Sequence, residues 1–271
     1  MRVVNIKLNR GGRLLAGAIP IIAMLIVYGV MSAARLEANE YDKVLPTFGA
    51  MSDAFLRLAI ETDARTGQIT LLADTLASLR RLGIGAAIAT LSALVFGIAL
   101  GVVPTVRAAL GPLIGIIAVI PPIAILPILF IALGLGETSK IALIAIGIAP
   151  FMIRDMAAHV SALPVEQIIK AQTLGANSWQ LTLRVVVPQA LPRLIHSLRL
   201  SMGPAWVFLI SAEAIASNVG LGYRIFLVRR YLSMDIILPY VAWISLLAIA
   251  TDALLMLLSR RAYPWAHEGG R

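Results

Sequence analysis

The sequence predicts an all-α polytopic membrane protein with about six transmembrane helices, and three observations carry that prediction. Mean hydropathy is +0.90, and 59% of the 271 residues are hydrophobic against 14% charged, which lies outside the usual composition of a soluble domain. Several uninterrupted apolar stretches approach or exceed the roughly 20 residues that a helix needs to cross a hydrocarbon core about 30 Å thick. None alternates with the two-residue period of a membrane barrel strand, so the spans are helical.

Taken in order, Arg2, Lys7, Arg10 and Arg13 precede an apolar run from Leu14 to Met31. That run exceeds the signal-peptide core of about 7 to 15 residues. The sequence therefore predicts an uncleaved first span over 14–33, with Ser32-Ala33-Ala34 as the place where a cleavage site would otherwise fall. Further spans are predicted over 82–103, 113–133, 139–157, 196–217 and 236–258. An even count puts both termini on one side, and that side takes 13 of the 23 Lys and Arg residues, a small excess toward cytoplasmic termini. The connection 34–81 mixes six basic and seven acidic residues and reads as an extracytoplasmic segment. Its last part, Leu71 to Leu79, has apolar residues at helical spacing on the way into the second span. The connection 159–195 carries Pro164, a helical pattern from Glu166 to Gln180, then Pro188 and Pro192, as a short helix outside the bilayer requires. The core spans occupy 82–258, and 259–271 forms a cytoplasmic tail. No internal repeat is visible and the spans leave no room for a soluble domain, so 1–271 is read as one domain.

The same residues exclude several chemistries. There is no cysteine, hence no disulfide framework, thiol nucleophile or thiolate metal site. The formal charge of +9 is scattered between apolar runs instead of gathered on a basic arm with aromatics, which points to the lipid bilayer and its anionic headgroups and not to nucleic acid. The phosphate-cradling pattern G-x-x-x-x-G-K-[ST] is missing. The nearest string, Gly134-Leu135-Gly136-Glu137-Thr138-Ser139-Lys140, has the wrong spacing and reads as a turn between two spans. His159, His196 and His267 are dispersed and lack the paired spacing of a metal site. No catalytic residue, metal ligand or bound cofactor is expected in this chain.

The spans are nearly bare of ionisable groups. The exceptions are Glu213 in the fifth, Asp252 in the sixth, and Arg154 with Asp155 near the end of the fourth; each is a candidate for a path through the membrane or, near a span end, for reaching the interface. Pro121, Pro122 and Pro127 lie inside the third predicted span, where a missing donor and a ring against the preceding turn make the helix kink or open. Freed carbonyls at membrane depth need protein or a watery cavity, which makes this stretch the first choice for pore lining, beside a kink that only serves packing. Trp206 and Glu213 are two turns apart and share a face, as a gate or constriction needs, although a packed core is the commoner fate of tryptophan. Glycines 83, 85, 97, 101, 111 and 115 fit close helix approach, Gly97 and Gly101 with G-x-x-x-G spacing.

The segment from Leu163 to Trp179, followed by Val185-Val186-Val187-Pro188-Gln189-Ala190-Leu191-Pro192, resembles the "EAA" loop of binding-protein-dependent ABC importer permeases. In that pattern E-A-A is followed by three residues, Gly, nine residues, an aliphatic, one residue, an aliphatic and Pro. Ala171, Gly175, Val185, Val187 and Pro188 fall on those positions, while Ile169 and Lys170 replace the first Glu and Ala, with Glu166 one turn away as a substitute. Elsewhere, Thr75 to Arg81, Pro121 to Pro127, Gly134 to Lys140, Ala212-Glu213 with Gly220-Leu221-Gly222, and Pro264-Trp265 resemble the nitrate, sulfonate and taurine branch. Ile153-Arg154-Asp155 and the run from Tyr223 to Tyr231 resemble its urea-carboxylase-associated members, some linked to guanidinium.

The resemblance implies a type I permease fold with a cytoplasmic coupling helix, in a homodimer in the bacterial cytoplasmic (inner) membrane. Glu166, Lys170, Ala171, Leu174, Gly175, Ala176, Trp179 and Pro188 would engage two copies of a cytoplasmic ATP-binding subunit. That subunit would hold the ATP and Mg, and an extracytoplasmic solute-binding protein would dock on the other face. Independently of the name, a short amphipathic helix ending in a Gly that accepts positive φ makes a compact knob suited to a groove in a partner. A stand-alone channel or ion-coupled carrier leaves that loop without a role, and an intramembrane enzyme would need paired catalytic residues.

Overall fold

A computed structural model describes residues 9–39, 42–64 and 67–266, and everything said of the fold concerns these; the expectations for Arg2, Lys7 and His267 lie outside them. Among the described residues the only extended pairing is an isolated bridge between Thr62 and Ile69. Five helices are long and apolar enough to cross a membrane, or six if one sharply bent pair is counted as a span.

Helix α1 (Arg10–Ala38) starts at Asn9, whose side chain accepts a hydrogen bond from the Gly12 amide at 2.7 Å. Its apolar window is not buried by the rest of the chain. It is fastened to the following connection near its end, where Tyr28 and Ser32 donate to the carbonyls of Pro46 and Leu45. Helix α2 (Phe48–Ile60), capped by Thr47, lies within the 34–81 connection. Phe55 of α2 packs on Trp243 with ring centroids 5.8 Å apart.

Helix α3 (Thr70–Val102) begins twelve residues before the expected start of the second span and runs unbroken for 33 residues. At 1.5 Å per residue that is about 50 Å, well beyond the apolar thickness of a bilayer. The excess falls at its N-terminal end, where Asp74, Ser78 and Arg81 are buried against other elements instead of lipid.

The third span differs most from expectation. Instead of one kinked helix over 113–133, helices α4 (Pro104–Val119) and α5 (Pro122–Leu133) meet at 98°. Each of Ile120 and Pro121 precedes a proline, and the clash with the next ring drives both to extended backbone, at ψ 123° and 118°. Two consecutive residues outside the helical region end a helix, whereas a lone proline bends it.

Helix α6 (Glu137–Ser161) closely matches the fourth predicted span. The expected 166–180 helix is divided at Gly175: α7 (Val165–Thr173) ends there, and α8 (Ser178–Leu181) passes through a π-helical turn (Thr182–Val186) into α9 (Val187–Ala216). Pro188 and Pro192, expected in a loop, therefore sit in the first turns of the fifth span. A wide π turn before Pro188 relieves its ring of the preceding carbonyl, and the Val187 amide bonds back to Thr182. Helix α10 (Leu221–Val228) follows a tight turn, and α11 (Met234–Ala262) completes the chain of helices.

The core is the seam of α3 on α6, continued onto α9. A Cβ on Gly85 would stand 2.8 Å from the Ile144 side chain and one on Gly97 2.5 Å from Met156, while one on Gly101 would overlap Val160. The G-x-x-x-G pair is thus a true helix contact. Gly83 and Gly115 have nothing within 4 Å, and Gly111 meets only the Arg107 side chain at that distance, so these three do not serve helix approach within one chain.

Candidate functional site

At one end of the bundle, α7 and the turn after it form a knob between α6 and α9. Glu166 lies in the first turn, where its charge suits the helix dipole, and Lys170 lies in the last; both are exposed. The helix stops in a Schellman motif: the Gly175 amide donates to Gln172 O at 2.9 Å and the Ala176 amide to Ala171 O at 3.0 Å. The motif requires the left-handed backbone that Gly175 adopts at φ 82°. Asn177 and Gln180 then cap α8 reciprocally.

This geometry turns large apolar side chains outward. Leu174 is 79% exposed and Trp179 69% exposed, with Val165 and Ile169 also exposed. Ala171 and Ile168 face inward and pack on the core. Pro188 is exposed on α9. The knob is tethered through Gln189, whose amide donates to the Gln167 carbonyl oxygen at 2.9 Å. Behind it lies a cavity of about 480 Å³ lined by Arg107, Val160, Ile168 and Asn177.

At the other end, five stretches that are far apart in the chain meet in a buried ionic knot. Glu213, on α9, is fully enclosed. Arg81 Nη1 donates to it at 2.6 Å and also to the Val219 carbonyl. Arg81 Nε and Nη2 face Glu137 at the start of α6, and Lys140 joins the same carboxylate at 3.0 Å. Ser78 donates to Glu213 and accepts from the Leu221 amide. The Gly222 amide completes the shell of Glu213 at 2.8 Å. Alongside, Asp74 accepts from the Gly220 amide, Arg224 and Tyr240. Buried charges are tolerated when paired and hydrogen-bonded in this way.

Two glycines make the knot possible. Gly220 has φ 135°, and a Cβ there would stand 2.6 Å from the Glu213 carboxyl carbon and 2.7 Å from Arg81 Nη1. One on Gly222 would meet the Ile210 carbonyl at 2.7 Å. Gly220-Leu221-Gly222 is therefore a run of three amides laid against Asp74, Ser78 and Glu213 in turn.

The residues expected along a translocation path do not gather at one place in the single chain. Pro121 and Pro122 form the α4–α5 break and Pro127 lies within α5. Arg154 is exposed on α6, and Asp155 is paired with Arg193. Trp206 is buried on α9, two turns from Glu213, and its indole N–H has no hydrogen-bond partner among the described residues. Asp252 pairs with Arg199 through two hydrogen bonds. Asp74, Ser78, Arg81 and Arg224 were not singled out individually from the sequence, although Asp74, Ser78 and Arg81 at i, i+4 and i+7 place polar groups on one face of an otherwise apolar helix.

Residues 93–263 match the family described as the binding-protein-dependent transport system inner membrane component. The taurine transport system permease protein TauC of Escherichia coli is 37% identical over 199 residues, covering 73% of this chain and 72% of that protein. The nitrate import permease protein NrtB of Leptolyngbya laminosa is 26% identical over 188 residues, covering 69% and 67%. A MetNI methionine ABC transporter in an inward-facing conformation superposes with a TM-score of 0.59 over 70% of this chain and 92% of that one, at 19% identity, a likeness of fold. The match across most of the core spans, and the identity to TauC, place the protein: it belongs to the binding-protein-dependent inner membrane components, multi-pass ABC permeases, within the nitrate, sulfonate and taurine branch.

Proposed function

We propose that two copies of this chain form the translocation unit of an ABC importer that moves a small polar nitrogen- or sulfur-containing solute inward. The solute classes are sulfonates such as taurine, nitrate, or a guanidinium- or urea-like compound. The chain is a non-catalytic subunit; ATP and Mg sit on a separate ATPase, two copies of which engage the two α7 knobs from the cytoplasm. A solute-binding protein docks at the end that carries the ionic knot.

The observation that carries this reading is the knob itself. A nine-residue helix stopped by a Schellman motif holds Leu174 and Trp179 outward at the bundle end. Exposed apolar side chains on a rigid, polar-rimmed projection are what a groove in a soluble partner captures. Because α7 follows α6 and leads through α8 and the π turn into α9, a push on the knob moves both helices. The ionic knot fastens the far ends of α3, α6 and α9 together, so the displacement travels as a rigid-body motion. ATP-driven closure of the ATPases would thereby switch the cavity between facing inward and facing outward.

The test is ATP-dependent uptake in proteoliposomes holding the chain, its ATPase and its binding protein. Leu174→Asp and Gly175→Asp should each lose ATPase co-purification and uptake. Leu174→Asp should leave the chain's own unfolding temperature nearly unchanged, because that side chain is 79% exposed. Uptake by the purified chain without ATP would refute the importer reading in favour of a carrier or channel.

A further inference from the structure

Helix α10 is joined to α11 by a 3₁₀ turn, Arg229–Tyr231, followed by Leu232 and Ser233. Tyr240 of α11 reaches Asp74 in the ionic knot, and α11 begins at Met234, six residues or about 9 Å farther out. The turn therefore projects past the knot, away from the knob end. Arg229, Arg230, Tyr231 and Leu232 are exposed in succession, Tyr231 at 68% and Leu232 at 57%. Successive residues of a 3₁₀ turn point about 120° apart, so the rest of the chain covers no side of it.

Charge sets this turn apart from the knot beneath it. There each arginine has its carboxylate, Arg81 with Glu213 and Arg224 with Asp74. The Arg229 guanidinium instead lies over the Phe226 ring, 4.9 Å from its centroid. Neither Arg229 nor Arg230 pairs with a carboxylate among the described residues, and Asp235, in the first turn of α11, bonds to neither. Cations gather on the cytoplasmic side of membrane proteins, so two adjacent unpaired arginines at the extracytoplasmic end run against that bias. The backbone is also unusual. Leu232, at φ 54° and ψ 27°, is the one non-glycine residue with positive φ among the described residues. Leucine incurs a steric cost there that glycine or asparagine avoids, and such strained positions cluster at ligand clamps and switch regions.

We propose that this turn docks on an acidic surface of the extracytoplasmic solute-binding protein. Arg229 and Arg230 meet carboxylates, and Tyr231 and Leu232 enter an apolar recess beside them. The inference rests on the importer reading above, which supplies a soluble partner on this face. Arginine and tyrosine around an apolar side chain are the composition of an interface centre, and unpaired charge steers an oppositely charged partner into register. An anionic lipid surface attracts cations without requiring a leucine fixed in a left-handed turn.

The permease–ATPase complex is placed in phosphatidylcholine nanodiscs and titrated with its fluorescently labelled binding protein. Arg229→Glu combined with Arg230→Glu should raise the dissociation constant about tenfold or more, because like charges opposed across an interface are strongly unfavourable, and should flatten its dependence on salt. Leu232→Gly should raise the unfolding temperature by removing strain and yet weaken binding; a turn that only joins two helices would show the first effect without the second. Arg57→Glu combined with Arg80→Glu, the same charge change on exposed residues of α2 and α3, should bind as the wild type does. An equal loss in that control would mean bulk surface charge and overturns the proposal. A loss seen only when phosphatidylglycerol is added overturns it in favour of lipid, and a change in the mass of the charge-reversed permease overturns it in favour of a second copy. Unchanged binding by the charge-reversed permease sinks this inference alone, whereas a wild type with neither binding nor ATP-dependent uptake removes the importer reading and this inference with it.

Discussion

Arg81 divides its guanidinium between two carboxylates in different surroundings: Glu213 is fully enclosed, whereas Glu137 is more than half exposed. The enclosed partner dominates, because removing one member of a buried pair strands the other charge. Arg81→Met should cost about 3 to 5 kcal/mol by thermal unfolding in detergent. Combining it with Glu213→Leu should restore part of that loss, since replacing a whole buried pair by apolar groups costs less than halving it. A double variant as unstable as the single one would mean that the pair is not the unit of stability. Asp42 gives a smaller effect with a definite sign. The Val44 amide, and then Arg35, hold its carboxyl below the ordinary carboxylate range. Its contribution is therefore full above the unfolded carboxylate pKa and is lost as pH falls through the lower folded value. Amide exchange at Val44, normalised for intrinsic rates, should accelerate below about pH 4, and Asp42→Asn should show the faster exchange at neutral pH.

Among the elements, the α3–α6 seam is where close approach matters. Gly97 stands against Met156 with no room for a methyl group, so Gly97→Ala should lower stability by about 1 to 3 kcal/mol through overpacking. Gly83 lies on the same helix with nothing near it. There the same change removes only backbone freedom, and Gly83→Ala should raise stability by about 0.5 to 1 kcal/mol. Unfolding temperatures moving in opposite directions would confirm the seam; a parallel fall would mean that the Gly83 face also meets a neighbour, such as a second copy. The prolines separate in the same manner. Pro20, Pro150 and Pro204 remain inside continuous helices, whereas Pro121 and Pro122 end one, because two consecutive pre-proline residues leave the helical region together.

For the molecule as a whole, the absence of cysteine makes assembly directly measurable. A single Leu174→Cys should react readily with a water-soluble maleimide in the permease alone and become protected when the ATPase binds. A cysteine at Val44, beyond the other end of the bundle, should react at the same rate in both states. Protection at both positions would point to aggregation, and protection at neither would remove α7 as the contact. The ionic knot and the knob lie at opposite ends of α6 and α9, so these two helices connect them.

Much of this architecture was written locally. Apolar runs of membrane length identified the spans and placed the fourth and sixth within a few residues of α6 and α11, because a bilayer imposes its thickness on each segment separately. Gly175 marked the end of α7 because a left-handed helix stop has a local residue requirement. The right-angle break at Ile120–Pro121 was legible as a disturbance but not as an angle, since the direction of the next helix depends on what it packs against. Composition could not assign partners to Glu213 or Asp74. Arg224 and Asp74 are 150 residues apart, and Ser78 and Glu213 are 135 apart. Each looked like an isolated charge or hydroxyl until folding closed the distance. The sequence by itself determined an all-helical membrane protein with a projecting loop, through periodicity, hydropathy and a glycine-stopped helix, and the resemblance of that loop to the EAA pattern implied a permease. Only the tertiary structure decided which charges neutralise one another and which glycines are contacts, because those depend on side chains meeting across elements and no local period records them.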